Sequence, residues 1–323
     1  MPNLAVKLGD LTARNPIFSA SGTFGHGLEM ENFSPSASLG GLVSKTVTLA
    51  PRGGNPAPRL HETRAGLINS IGLENKGLDS YLEHVLPEMD AAQCLVITNI
   101  GGHADDEFAE LAARLDQQPR VDGLEINLSC PNVDDGKLPL STDPARAAAV
   151  VAGVRRVTTK PIFAKLSPNV TRIGEMAAAV EQGGADGITA VNTVLGLAVD
   201  WRTGAPGVAT VQGGYSGPAI HPIALRCAWE CVQATRIPVI GCGGIVQAKD
   251  ALAYLSVGCS AVQVGTSSFS DPSGPARLAE ALAQEVANAG LDDIHQVIGN
   301  IRDGRERHVR PRPAKRPERE ACS

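Results

Sequence analysis

Two rhythms of hydrophobic and polar positions alternate along the chain. Short apolar, β-branched runs recur at NPIFSAS (15–21), GLVSKTV (41–47), CLVITNI (94–100) and GLEINLS (123–129). They continue with PIFAKLS (161–167), DGITAVN (186–192), IPVIGCG (237–243) and SAVQVGT (260–266). Between most of them lie stretches whose apolar positions follow the helical period. These are LDSYLEHVLPEM, EFAELAARL, DPARAAAVVAGVRRV, RIGEMAAAVEQG, AKDALAYLSVG and GPARLAEALAQEVANA. Asp143-Pro144 reads as a helix start and Gly183-Gly184 as a helix end. Eight strands alternating with helices over roughly 250–300 residues predict an α/β chain folded as a (β/α)8 TIM barrel. The alternative is a doubly wound sheet. Against it, no GxGxxG closes the first strand and no break in composition divides the chain. AVKLGDLTARN, ahead of the first strand, reads as a small hairpin capping the barrel floor. No repeat or linker marks a second domain.

Composition narrows the picture. The 323 residues are 43% hydrophobic and 20% charged, with a net charge of −5, which gives no general attraction to nucleic acid or anionic lipid. No apolar stretch approaches the roughly 20 residues that span a bilayer. The start MPNLAVKLGD lacks the layout of a signal peptide, so a cytoplasmic location is expected. Seven scattered cysteines suit a reduced compartment better than a disulfide framework. Cys227 and Cys231 form a CxxxC pair, but inside a helical stretch and without a second ligand pair, which favours packing over metal. From Arg302 to Glu320, seven Arg and one Lys face four acids, a local charge of +4. That segment holds three prolines and almost nothing to bury. The chain is therefore expected to divide into a barrel unit (1–301) and a disordered basic tail (302–323).

Barrel enzymes build their sites at the C-terminal strand ends and the loops that follow. Here those ends carry Ser21-Gly22, Lys45-Thr46, Thr98-Asn99, Asn127-Leu128-Ser129-Cys130, Lys165, Asn192-Thr193, Gly243-Gly244 and Gly265-Thr266. Glycines after the last two strands match the usual phosphate site of barrels, and Gly217 adds a third close backbone approach. Asn69, Asn99, Asn127 and Asn192, with Asn132 close behind, cannot do acid–base work. Amides do bond the C=O and N–H edges of flat rings, which favours a planar heterocycle or a flavin. Glu125 is expected to point away from the substrate face. His26, His61 and His103 are read as loop residues rather than bases. Cys130 remains, a thiol whose ordinary pKa of about 8.5 falls beside cations, able to act as a base near neutrality. The loop behind it, VDDGKLPLSTDP, reads as a water-excluding lid. A Schiff-base aldolase using Lys45 or Lys165 and a non-catalytic flavoprotein are the competing readings.

Together, NSIGLEN (69–75), INLSCPN (126–132), AKLSPN (164–169), VNT (191–193), SGPAI (216–220), GCGGI (241–245) and AVQVGTSSF (261–269) closely resemble class 1 dihydroorotate dehydrogenases. The likeness runs from about Val6 to Leu282. It implies an FMN-containing barrel that oxidises (S)-dihydroorotate to orotate for pyrimidine (UMP) biosynthesis. In that family's chemistry Cys130 would take the C5 proton while the C6 hydride passes to the flavin. FMN, one per chain, would be held by Ser21, Lys45, Thr46, Asn99, Asn127, Lys165, Val191, Gly217, Gly243, Gly244, Gly265 and Thr266. Substrate would meet Lys45, the loop Asn69, Ser70, Ile71, Gly72 and Leu73, then Asn127, Asn132, Asn192 and Thr193. The membrane-linked class, with its serine base and N-terminal extension, does not match.

Within class 1, NSIGLEN-KG resembles the NAD-linked type 1B, whose catalytic subunit works with a partner carrying FAD and a [2Fe–2S] cluster. The implied assembly is a heterotetramer on a barrel homodimer. The fumarate-linked type 1A and a dihydropyrimidine dehydrogenase-like barrel are the alternatives. Departures from the family pattern are Cys242 for a common Met, Tyr215 for a frequent Leu, and the basic tail.

Overall fold

The computed structural model describes residues 1–102, 104–129 and 140–302; His103, Cys130, Asn132 and the tail from 303 lie outside the described residues. In chain order the strands begin β1 (Val6–Leu8), β2 (Leu11–Ala13), β3 (Ile17–Ser19), β4 (Gly41–Val43), β5 (Leu60–Thr63), β6 (Gly66–Asn69) and β7 (Leu95–Ile100). They continue β8 (Gly123–Asn127), β9 (Ile162–Leu166), β10 (Gly187–Ala190), β11 (Val194–Leu197), β12 (Gln212–Ser216), β13 (Val239–Cys242) and β14 (Ala261–Val264).

Eight of these form a closed barrel in the order β3-β4-β7-β8-β9-β10-β13-β14, with β14 pairing in parallel with β3. Each lies within one of the eight apolar runs. Parallel strands buried on both faces need continuous apolar sequence, and β8, β9 and β10 are buried at every position. Helices Asp105–Asp116, Pro144–Arg155, Ile173–Gln182, His221–Ala234, Ala248–Ser256 and Gly274–Asn288 follow strands as expected. The first buries Phe108, Leu111, Ala112 and Leu115, an apolar stripe at helical spacing. The second starts as its sequence indicates: Asp143 accepts from the N–H groups of Ala145 and Arg146, and Pro144 stands in the first turn.

One expected helix is broken. The stretch 78–89 forms a short α turn (Gly77–Ser80), a widened turn (Tyr81–Val85) and a 3-10 turn (Glu88–Ala91). Leu86 N–H bonds to Tyr81 O at 2.8 Å, five residues back. The Tyr81 hydroxyl is tied to Thr98 on β7 at 2.9 Å, and Pro87 has no N–H with which to continue the ladder.

Strands β1 and β2 make the antiparallel hairpin. Lys7 and Gly9 share a small cleft with Pro238, Val239 and Gly258, at the N-terminal ends of the barrel strands, so the hairpin sits at the floor. At the opposite mouth stands an element absent from the sequence reading: a four-stranded sheet in the order β11-β12-β6-β5, all antiparallel. Its strands come from the connections after β4 and after β10. Asn69 ends β6 there, paired with Gly214 of β12.

The barrel interior has two levels. Below, Phe18 and Phe163 fill the centre with Ile97, all at most 3% exposed. Glycine makes the room: a Cβ on Gly41 would lie 2.2 Å from the Phe18 ring, and one on Gly187 would lie 2.6 Å from the Phe163 ring. Each buried aromatic contributes roughly 1.5–3 kcal/mol of hydrophobic stabilisation. Above, the same strands turn polar.

Candidate active site

A cavity of about 1050 Å³ opens at the C-terminal mouth, under the four-stranded sheet. It is lined by Ser21, Lys45, Thr46, Asn99, Asn127, Lys165, Val191, Gly217, Gly243, Gly244, Gly265 and Thr266. Asn69, Ser70, Ile71, Gly72, Leu73, Asn192 and Thr193 line it as well. Every candidate that lies among the described residues therefore faces one space. Cys130 and Asn132 lie outside those residues, but Ser129 before them and Ser141 after them both line the cavity.

One end is a backbone cradle. Gly243 and Gly244 both have left-handed φ, +136° and +70°, which only glycine adopts without strain. A Cβ on Gly244 would lie 2.6–2.7 Å from the Cβ, Cα and N of His221, the first residue of helix His221–Ala234. The cradle thus presses on a helix N-terminus, where free N–H groups and the helix dipole favour an anion such as phosphate. The Tyr254 hydroxyl donates to Gly243 O at 2.8 Å and pins the turn. Burial pushes that phenol well above its usual range, so it remains a donor.

The floor of the cavity is the upper level of the barrel. Glu125 is fully buried and accepts at Oε1 from Asn99 Nδ2 (2.6 Å) and Lys165 Nζ (3.5 Å). At Oε2 it accepts from Thr189 Oγ1 (2.7 Å) and Gln263 Nε2 (2.6 Å). Burial disfavours the charge on Lys165, and the Glu125 carboxylate more than offsets it. The ammonium is held above its ordinary pKa. The expectation that Glu125 turns from the substrate face needs correcting in direction. It is absent from the cavity wall, yet it points into the barrel, one side-chain level beneath Asn127. Gln263, two residues before Gly265, lines the cavity and was missed by the sequence reading.

Amides form the wall above. Ser129 Oγ donates to Asn127 Oδ1, and Asn192 Nδ2 donates to Ser129 Oγ. Asn192 Oδ1 accepts from the N–H of Thr193 at 2.7 Å. Asn169, also missed, donates to Thr193 O at 3.1 Å and accepts from Leu195 N–H at 2.9 Å. The loop Asn69–Leu73 is held in a left-handed bend, with φ +75° at Gly72 and +55° at Leu73. For a leucine that conformation costs about 1–2 kcal/mol. Asn75 anchors it, donating to Leu73 O and to Thr48 Oγ1, each at 2.7 Å.

The described thiols are poor bases. Burial pushes Cys94 and Cys259 up to about 12 and raises Cys227, Cys231 and Cys242 as well. Cys227 and Cys231 are wholly buried in the core. His61 lies on β5, its ring against Gly207, and His26 is half-buried against Tyr81 with ring centroids 5.4 Å apart. Neither lines the cavity.

Comparison with known proteins settles the lineage. The family profile described as dihydroorotate dehydrogenase matches residues 3–286. The chain belongs to the dihydroorotate dehydrogenase family. It is 46% identical over 300 residues to the dihydroorotate dehydrogenase B (NAD(+)) catalytic subunit of Trichlorobacter lovleyi, covering 93% of this chain and 99% of that one. Likeness to the subunit of the same name from Geobacter metallireducens is 44% over 300 residues, covering 93% and 98%. For that from Desulforamulus reducens it is 46% over 297 residues, covering 92% and 98%. The family match over 3–286 takes in the barrel, the sheet over its mouth and every lining residue of the cavity.

Proposed function

We propose that this chain is the catalytic subunit of an NAD-linked dihydroorotate dehydrogenase, oxidising (S)-dihydroorotate to orotate in pyrimidine biosynthesis. The observation that carries the reading is the cavity onto which Lys45, Lys165, the side-chain amides of Asn69, Asn99, Asn127, Asn169, Asn192 and Gln263, and a glycine cradle converge. The names of the relatives supply the substrate and the NAD link.

The residues present fit one FMN per chain. The glycine cradle at a helix N-terminus suits its phosphate. Asn99 Oδ1 and Gln263 Oε1 are buried acceptors with no partner among the described residues, and they suit a ring edge bearing N–H. Gly217, Gly243, Gly244, Gly265 and Thr266 would hold the phosphate end. Ser21, Lys45, Thr46, Asn99, Asn127, Lys165 and Val191 would hold the rest. Bound there, FMN supplies a hydride acceptor beside the substrate.

The chain's own residues do the remaining work. Lys45 offers a cation to the substrate carboxylate, and Asn69, Asn127, Asn132, Asn192 and Thr193 read the edges of the pyrimidine ring. Ser70, Ile71, Gly72 and Leu73 close over it in their fixed bend. Cys130 removes the C5 proton, a role for which the described thiols are unsuited because burial holds them protonated. Lys165 keeps a positive charge where negative charge develops.

Electrons leave through a partner subunit. FAD and a [2Fe–2S] cluster are assigned to that partner, in a heterotetramer built on a barrel homodimer. Among the described residues no group of three or more His, Cys, Asp or Glu could hold a metal ion. Leu195, Leu197 and Trp201 stand 60%, 60% and 80% exposed on and beside the four-stranded sheet, the kind of surface a chain with partners carries. No helix among the described residues is long and apolar enough to cross a membrane, and the reading places the enzyme in the cytoplasm. Residues 1–301 form the catalytic unit in this reading and 302–323 an appended tail.

An anaerobic absorption spectrum of the purified chain, before and after dihydroorotate, tests the reading. Flavin bands should bleach in the wild type. In Cys130→Ala they should bleach about 10²–10⁴-fold more slowly, with FMN content unchanged. A protein that takes up no FMN would move the two lysines, and Schiff-base chemistry, to the front.

A further inference from the structure

We propose that Glu125, which never touches the cavity, is the positioning residue that decides which polar atoms the barrel shows to its ligand. The inference rests on the flavin reading above and deepens it.

A carboxylate only accepts hydrogen bonds. Both carboxylate oxygens of Glu125 are engaged, with donors from four strands: Asn99 on β7, Lys165 on β9, Thr189 on β10 and Gln263 on β14. The 2.6 Å bond from Gln263 crosses the barrel, since β14 and β8 lie on opposite sides of the closed order. Each side-chain amide has one donating and one accepting end. Because Glu125 claims the NH₂ end of Asn99 and of Gln263, their carbonyl oxygens must face elsewhere. Those two oxygens are the buried acceptors left without a partner, on residues that line the cavity. An orphaned buried acceptor is costly, and a ligand N–H recovers that cost on binding.

The buried carboxylate therefore fixes a pattern of two acceptors and one ammonium. That pattern selects a ring edge carrying N–H beside electron-rich oxygen or nitrogen. A glutamine at 125 would lose the pattern twice over. Its own amide can donate, so Asn99 and Gln263 become free to turn. Lys165 would lose its counter-charge and favour an anionic ring more strongly.

The experiment is FMN titration of the apoprotein, followed by fluorescence quenching, and dye-equilibrated midpoint potentials, on wild type, Glu125→Gln and Thr189→Val. Glu125→Gln should bind oxidised FMN about tenfold more weakly while reduced FMN binding holds. The potential then rises by about 30 mV, the equivalent of tenfold for a two-electron couple. Thr189→Val removes one donor to Glu125 without reaching the cavity, and should weaken oxidised FMN binding about two- to threefold and raise the potential by about 9–14 mV. A purely structural role for Glu125 would lower the unfolding midpoint and leave the potential alone. Glu125→Gln with wild-type affinity and potential, or with a lowered potential, overturns the proposal. Should Glu125→Gln not fold, unchanged affinity and potential in Thr189→Val overturns it instead. Wild-type protein that takes up no FMN overturns the flavin reading, and this inference with it.

Discussion

The lower and upper levels of the barrel interior are made by the same strands, and they could hardly differ more. β7 supplies Ile97 and then Asn99, β9 supplies Phe163 and then Lys165, and β10 supplies Gly187 and then Thr189. One side-chain step along a strand separates a dry aromatic core from a network of buried charge and amides. The difference is energetic. Below, shape complementarity and apolar burial stabilise the fold whether or not a ligand is present. Above, each polar group is held by a neighbour, and the carbonyl oxygens of Asn99 and Gln263 are left without a partner among the described residues. Stability is concentrated in one level and recognition in the other.

Phe163→Ala should break the lower level most severely. Removing this buried ring leaves a cavity that costs about 3–5 kcal/mol, read from denaturant midpoints. FMN affinity of the folded fraction should be unchanged, because the ring lies beneath the site. Loss of affinity on the same scale would mean the two levels are not separable.

Lys165→Met tests the upper level. Glu125 would be left as a buried charge without its cation, a loss of about 3 kcal/mol in unfolding experiments. Unlike Phe163→Ala, it should also weaken FMN binding. A variant that lost stability but bound FMN normally would make Lys165 a structural residue.

Gly244→Ala sharpens the contrast at the cradle. The left-handed φ and the contact with His221 should cost about 1–2 kcal/mol of stability and weaken FMN binding through its phosphate end. Riboflavin, which lacks the phosphate, should bind both forms alike.

The smallest effect is expected at His26, outside both levels. Burial, and to a lesser degree Lys45, hold its imidazole below its ordinary pKa against the opposing pull of Glu29. Below about pH 6.5 the unfolded chain binds a proton that the fold resists, so stability should fall as pH drops through that point. His26→Gln should flatten the fall between about pH 7 and 5 in thermal unfolding, and an unchanged slope would assign the loss to other groups.

Much of this was legible from sequence. All eight barrel strands lie inside the apolar runs, because a strand buried on both faces must be apolar nearly throughout. The lining residues could be named because strand ends and the glycines after them mark the barrel mouth. Cys130 and Asn132 stand out in the motif INLSCPN, yet their roles rest on the family resemblance and await the spectra above. Gln263 carried a readable signal: it lies on β14 two residues before the mouth glycine Gly265, as Glu125 lies two before Asn127 on β8, and positions at that spacing share a face.

The sequence by itself determined the periodicities, and so the strands, the helices and the face on which chemistry gathers. Only the tertiary structure decided three things: the break in 78–89, the sheet joining β6 to β12, and the meeting of Glu125 with donors from four strands. The last two depend on contacts between residues far apart in the chain, Asn69 with Gly214 and Glu125 with Gln263, and the first on Tyr81 meeting Thr98 as well as on Pro87; local pattern does not encode those contacts. Barrel closure brings the second pair together. It turns a glutamate that would be a surface residue on an open strand into the buried acceptor around which the site is arranged.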